Sequence, residues 1–128
     1  MRGVMGISAL VAVVAVELLL VSSAQARPSS FQRTCVDIGV RGAALFATCR
    51  RIDGSWHRTS LEIDGVENIN GSLRVTGVSP SSFQLTCRNI GINGDVLFAT
   101  CRRIDGGWQP TSIHLPDVEN IDGDLRYT

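Results

Sequence analysis

The amino-acid sequence predicts an all-β protein built of two pseudo-symmetric halves. Three observations carry this. Beyond residue 26 the chain is one motif written twice, at a constant offset of 52. Four cysteines fall as two pairs with an equal spacing of 14, one pair in each copy. Asx-Gly dipeptides punctuate short apolar runs, and no stretch after residue 26 carries ten or more residues of helical periodicity.

The chain has 128 residues and opens as an export signal. Arg2 supplies the basic start, and an apolar stretch runs from Ile7 through Val16 and resumes at Leu18 after Glu17. Ala24-Gln25-Ala26 presents small residues where a signal peptidase reads, so cleavage is expected after Ala26. The alternative, a membrane anchor, is disfavoured because Glu17 divides a stretch already short for spanning. Residues 1–26 are thus a signal peptide, residues 27–128 a secreted domain, and no membrane span remains after processing. Export favours disulfides. Four cysteines allow three pairings, and the equal spacings favour Cys35–Cys49 and Cys87–Cys101. No Cys-x-x-Cys occurs and neither histidine lies near a cysteine pair, which argues against zinc.

Repeat one spans residues 29–76 and repeat two 81–128, joined through Thr76-Gly77-Val78-Ser79-Pro80. Ser30-Phe31-Gln32 returns as Ser82-Phe83-Gln84, and Leu45 to Gly54 returns unchanged as Leu97 to Gly106. Within repeat one, strands are expected near 31–36, 44–52, 56–63, 67–70 and 72–76. Thr59, Leu61 and Ile63 alternate with Ser60, Glu62 and Asp64, so that strand buries one face. Turns are expected at Gly39 to Gly42, at Asp53-Gly54 and at Asn70-Gly71. Repeat two matches with every position shifted by 52. Leu45, Phe46, Leu97, Phe98, Trp56 and Trp108 are the expected core. A repeat of about fifty residues buries too little surface to stand alone, so both halves should share one core.

Charge and composition exclude several functions. Twelve arginines balance twelve acids and there is no lysine, so the basic face that nucleic acid demands is missing. His57 and His114 are not equivalent in the two repeats, and no Ser/His/Asp constellation is visible. No catalytic residue and no cofactor is expected. Asp122 and Asp124 hint at calcium, but a hard-cation site needs six to eight oxygens. Glu67 and Glu119 invite comparison with glycosidase carboxylates, whose spacing a sequence does not reveal. Asn70-Gly71-Ser72 is an N-glycosylation sequon at Asn70, absent from the matching turn in repeat two.

Taken in order, Phe31-x-x-Thr34-Cys35, Thr48-Cys49, Asp53-Gly54-x-Trp56 and Glu67-Asn68-Ile69-Asn70-Gly71-Ser72-Leu73-Arg74 form a pattern. It recurs as Phe83-x-x-Thr86-Cys87, Thr100-Cys101, Asp105-Gly106-Gly107-Trp108 and Glu119-Asn120-Ile121-Asp122-Gly123-Asp124-Leu125-Arg126. This pattern resembles the cyanovirin-N homology family over the whole mature chain. The resemblance implies that each half joins a three-stranded sheet from one repeat to a β-hairpin exchanged from the other. It implies a lectin for mannose-rich oligosaccharides or glycoproteins, monomeric or a domain-swapped dimer, with a pocket at each end. One pocket would use Ser30, Arg33, Thr34, Arg50 and Ile52 with Asn120, Asp122 and Thr128. The other would use Ser82, Leu85, Thr86, Arg102, Arg103 and Ile104 with Glu67, Asn68 and Asn70. Arg33, Arg50, Leu85 and Asn70 depart from the family's usual residues. A secreted interaction or effector protein that keeps the scaffold without sugar binding is the alternative.

Overall fold

The computed structural model describes residues 27–128; the segment expected to be an export signal, residues 1–26, lies outside the described residues. Repeat one opens with a single 3-10 turn, Phe31–Arg33. Five strands follow: β1 (Cys35–Arg41), β2 (Ala44–Arg50), β3 (Trp56–Glu62), β4 (Val66–Ile69) and β5 (Ser72–Val75). Repeat two gives a 3-10 turn at Phe83–Leu85, then β6 (Cys87–Asn93), β7 (Val96–Arg102), β8 (Trp108–His114), β9 (Val118–Ile121) and β10 (Asp124–Tyr127). Every strand of repeat two is its counterpart shifted by 52. The antiparallel sheets are β1-β2-β3 and β6-β7-β8, and β4-β5 and β9-β10 are hairpins. Each hairpin seats on the other repeat's sheet: β10 lies against β3, and β5 against β8. β1 and β6 meet where the two halves join.

Hydrogen bonds fix the exchange. The Leu125 N–H donates to Thr59 Oγ1 (3.2 Å) and the Leu73 N–H to Thr111 Oγ1 (3.1 Å). Buried Ser29 accepts from the Val118 N–H at 2.9 Å and donates to the Leu115 carbonyl. Ser81 accepts from the Val66 N–H at 2.9 Å. These serines satisfy backbone groups that burial would otherwise leave costly. At the linker, Gly65 sits at φ +72, and a Cβ there would stand 3.0 Å from Gly77 Cα. The Thr76 and Gly77 N–H groups both donate to the Gly65 carbonyl, so the chain leaves repeat one pinned to its own hairpin.

One continuous core unites the halves. Phe31 and Phe83 are fully buried and anchor it with Leu45, Leu97, Ile63, Leu115, Val66, Val118, Leu73 and Leu125. Each phenylalanine contributes about 1.5–3 kcal/mol by leaving water. The disulfides Cys35–Cys49 and Cys87–Cys101 join directly opposed residues of neighbouring strands.

Several expectations need correction. Residues 31–33 form a 3-10 turn, and the first strand starts at Cys35. Gly39 belongs to β1, and the turn narrows to Gly42 and Ala43; β1 bulges between Val36 and Gly39. Phe46, Phe98, Trp56 and Trp108 are not core: they are 37%, 43%, 50% and 37% exposed. The reason is the strand period of two. Leu45, Ala47 and Cys49 face inward, so Phe46 must face outward, and Trp56 pairs opposite outward-facing Arg50. Phe46 lies over Gly39, where a Cβ would stand 2.5 Å from the ring. Arg88 lies 3.9 Å from the centre of the Trp108 ring, while Trp56 has Arg50 at 5.8 Å.

Candidate functional site

The exchange brings each hairpin turn to the open end of the opposite sheet. At one end the β9-β10 turn meets the 3-10 turn of repeat one and the loop after β2. Asn120 holds them together. Its Nδ2 donates to Thr34 Oγ1 and to the Arg50 carbonyl, both at 2.9 Å, and its Oδ1 accepts the Gly123 N–H at 2.7 Å. Asp122 Oδ1 accepts the Ile52 N–H at 2.9 Å. At the other end Asn68 makes the same contacts: Thr86 Oγ1 and the Arg102 carbonyl at 2.9 Å, and the Gly71 N–H at 2.8 Å. Asn70 Oδ1 accepts the Ile104 N–H at 2.9 Å. Asn70 and Asp122 both sit at φ +51, which short polar side chains tolerate better than others.

Thr34, Arg50, Ile52, Asn120 and Asp122 are therefore bonded into one cluster, preceded in the chain by Arg33 at the end of the 3-10 turn and by Ser30 just before that turn. Thr86, Arg102, Ile104, Asn68 and Asn70 form the matching cluster, with Ser82 and Leu85 beside them. Ser30 and Ser82 spend their N–H groups on the Val118 and Val66 carbonyls. Glu67 lies in β4 opposite Arg74. Arg103 lies under the turn: Gly71 packs on its side chain, and its Nε donates to Gln109 Oε1 at 3.0 Å. Thr128 does not join the first cluster. It follows the open end of its hairpin, where Val118 faces Tyr127, and its N–H donates to the Asp117 carbonyl.

Three features were not anticipated from sequence. Arg51, His57 and Asp124 form a chain of contacts beneath the first turn. The only advance sign of it is that position 57 holds His where position 109 holds Gln. Second, Tyr127 stands where repeat one has Val75; its hydroxyl accepts the Asp64 N–H at 2.8 Å and donates to the Glu62 carbonyl at 3.1 Å. Burial raises its phenol above the ordinary value of 10.0. Third, a groove of about 620 Å³ crosses the outer face of the first sheet, lined by Asp37, Phe46, Thr48, Arg58 and Ser60. It shares no residue with either cluster.

The chemistry on offer at the two ends is hydrogen bonding. Asp122 has a second carboxylate oxygen beyond the one that holds Ile52, and Arg33, which precedes Thr34 in the chain, is exposed. Ile52 and Ile104 each project 90% exposed at the rims. Glu67 and Glu119 lie on different hairpins, each seated on a different sheet, so they do not form a facing carboxylate pair. Among the described residues no group of three or more His, Cys, Asp or Glu is placed to hold a metal.

Fold and ends together define a class: a small, disulfide-bonded β protein of two tandem repeats, with a matched polar cluster at each end. The CVNH domain family matches residues 31–126, and the chain belongs to that family. Members of this family are lectins. A cyanovirin-N homolog of Tuber borchii is 31% identical over 90 residues, covering 67% of this chain and 84% of that protein. A structure of microvirin in complex with mannobiose is 32% identical, with a TM-score of 0.63, covering 78% of this chain and 99% of that one. The MoCVNH3 variant in complex with (N-GlcNAc)4 shares the fold at 21% identity, with a TM-score of 0.67, covering 78% and 97%.

Proposed function

We propose that this protein is an exported lectin for mannose-rich oligosaccharides, with two unequal pockets of which the Asn120–Asp122 end binds better. The observation that carries the ranking is the free carboxylate oxygen of Asp122, where the other end has the amide of Asn70. An ionised carboxylate accepts stronger hydrogen bonds from sugar hydroxyls than an amide does. Exposed Arg33 adds donors where the second end has Leu85, 78% exposed and unable to replace the hydrogen bonds a sugar loses from water. The mannobiose complex of microvirin supports the choice of sugar. In a eukaryotic host, a glycan on Asn70 would further obstruct the second pocket.

Calorimetry with a mannose-rich oligosaccharide on Asp122→Ala and Asn70→Ala tests the ranking. Asp122→Ala should lose about 1–3 kcal/mol, the cost of an unmade polar contact, and Asn70→Ala less. A larger loss at Asn70 reverses the order of the pockets. The second reading, a secreted interaction protein, is favoured by exposed apolar side chains at the two ends, Ile52 at one and Ile104 with Leu85 at the other. It takes over if a glycan array shows no binding of any class.

A further inference from the structure

We propose that His57 is a positioning residue for the first pocket, and that it makes occupancy of that pocket, but not of the second, depend on pH. This rests on the reading of the Asp122 end as a sugar site. Arg51 Nη2 stands 2.8 Å from His57 Nδ1, and His57 Nε2 stands 3.3 Å from Asp124 Oδ1. A guanidinium has only hydrogens to offer. His57 Nδ1 therefore presents its lone pair, and the ring proton sits on Nε2, aimed at the carboxylate. The relay runs from cationic Arg51 through neutral His57 to anionic Asp124.

The turn rests directly on this relay. Gly123 sits at φ +93, and a Cβ there would stand 2.8 Å from Arg51 Cγ and 3.1 Å from His57 Cβ. Gly123 follows Asp122 in the chain. Ile52, whose N–H donates to Asp122 Oδ1, follows Arg51. Both partners of the bond that shapes the pocket are thus one residue away from the relay.

Protonating Nδ1 sets an N–H against the guanidinium at hydrogen-bond distance. Two cationic donors then face each other with no acceptor between them, and Arg51 must withdraw. The imidazolium keeps Asp124, the acid on β10. The other charge facing it from that strand is Arg126, whose Nη2 lies 3.8 Å from Asp124 Oδ2. Arg51 comes from the loop between β2 and β3. Acid therefore withdraws the Arg51 side chain from beneath Gly123 and perturbs the neighbouring Ile52–Asp122 bond, while Asn120 still holds the Arg50 carbonyl and the imidazolium keeps the hairpin side.

Repeat two supplies the control. Gln109 accepts from Arg103 Nε at 3.0 Å and donates to the Gly71 carbonyl at 3.1 Å and to Ser72 Oγ at 3.2 Å. An amide there makes the same bridge between loop and hairpin, and an amide does not titrate between pH 5 and 8.

The test is amide nuclear magnetic resonance on the oxidised wild-type protein and on His57→Gln, from pH 8 to pH 5, with and without mannobiose. In wild type, the Ile52 and Gly123 amides should shift together with the His57 ring, while Ile104 and Gly71 stay still. Affinity read at Asp122 and Gly123 should fall about three- to tenfold over that range, the span of one ordinary hydrogen bond. His57→Gln should bind at pH 5 as it does at pH 8. Still Ile52 and Gly123 amides in wild type, or an unchanged pH dependence in His57→Gln, would overturn the proposal. Absence of mannobiose binding at every pH overturns the sugar reading and the occupancy claim with it, and the amide titrations still decide whether the relay exists.

Discussion

Replacing Asn120 with Ala separates a clamp from a sugar contact. The side chain makes three hydrogen bonds, at 2.9, 2.9 and 2.7 Å, that tie the β9-β10 turn to repeat one. At about 1 kcal/mol each, their removal has a ceiling of about 3 kcal/mol. The bonds to Thr34 and Arg50 lie at exposed positions, where water takes over as partner, so the expected loss is about 1–2 kcal/mol. For a domain of this size that lowers the melting temperature by about 5–15 °C. Asn68 makes the same three bonds at 2.9, 2.9 and 2.8 Å, so Asn68→Ala should match it. The double variant should show the sum, because the two ends share no partner. Thermal denaturation followed by circular dichroism measures all three. An Asn120→Ala protein that keeps its full melting temperature yet loses sugar affinity would place Asn120 among the ligand contacts and refute the clamp. Unequal losses at the two sites would refute the equivalence of the ends.

Reduction of both disulfides should unfold the protein. Each closes a loop of sequence separation 14, worth about 3 kcal/mol, against a total stability of about 5–15 kcal/mol for a small domain. A melting curve unchanged after verified reduction would show the bridges to be dispensable. Tyr127 should make stability fall in alkali. Burial raises its folded pKa above 10.0, so the native state keeps a proton that the unfolded chain has given up, and stability is lost as pH rises above about 10. Tyr127→Phe should flatten that slope in denaturation series between pH 9 and 11, at a cost of about 1 kcal/mol at neutral pH. A slope that survives the substitution would assign the effect to other groups.

Most strands were legible because two independent patterns agree on them. The offset of 52 fixes equivalence, and Asx-Gly marks where chains reverse. What failed was local. Phe31 to Arg33 is a single 3-10 turn, too short to carry any periodicity. Phe46 and Trp56 look like core residues by type, but neighbours in a strand cannot both face inward, and Leu45 had already taken the inner side. At the ends, the residues that meet follow from the exchanged hairpins. Their roles do not. An asparagine written in a turn looks the same whether it clamps backbone groups, as Asn68 and Asn120 do, or reaches for a ligand. The difference between His57 and Gln109 is visible in the repeat alignment, but its meaning depends on Arg51 and Asp124 arriving from other parts of the chain.

The exchanged hairpins also speak to origins. A single repeat places its hairpin where its own sheet is not, so one copy alone has an uncovered sheet and an unseated hairpin. Its complement exists only in a second copy. The duplicated chain thus has the architecture of a two-fold homodimer written as one polypeptide, with residues 76–80 as the seam. Once fused, the two ends are free to diverge, because a substitution now alters one end rather than both. Position 57 against 109, position 122 against 70 and position 127 against 75 show that difference: in each case one copy carries a group that ionises where its twin has none.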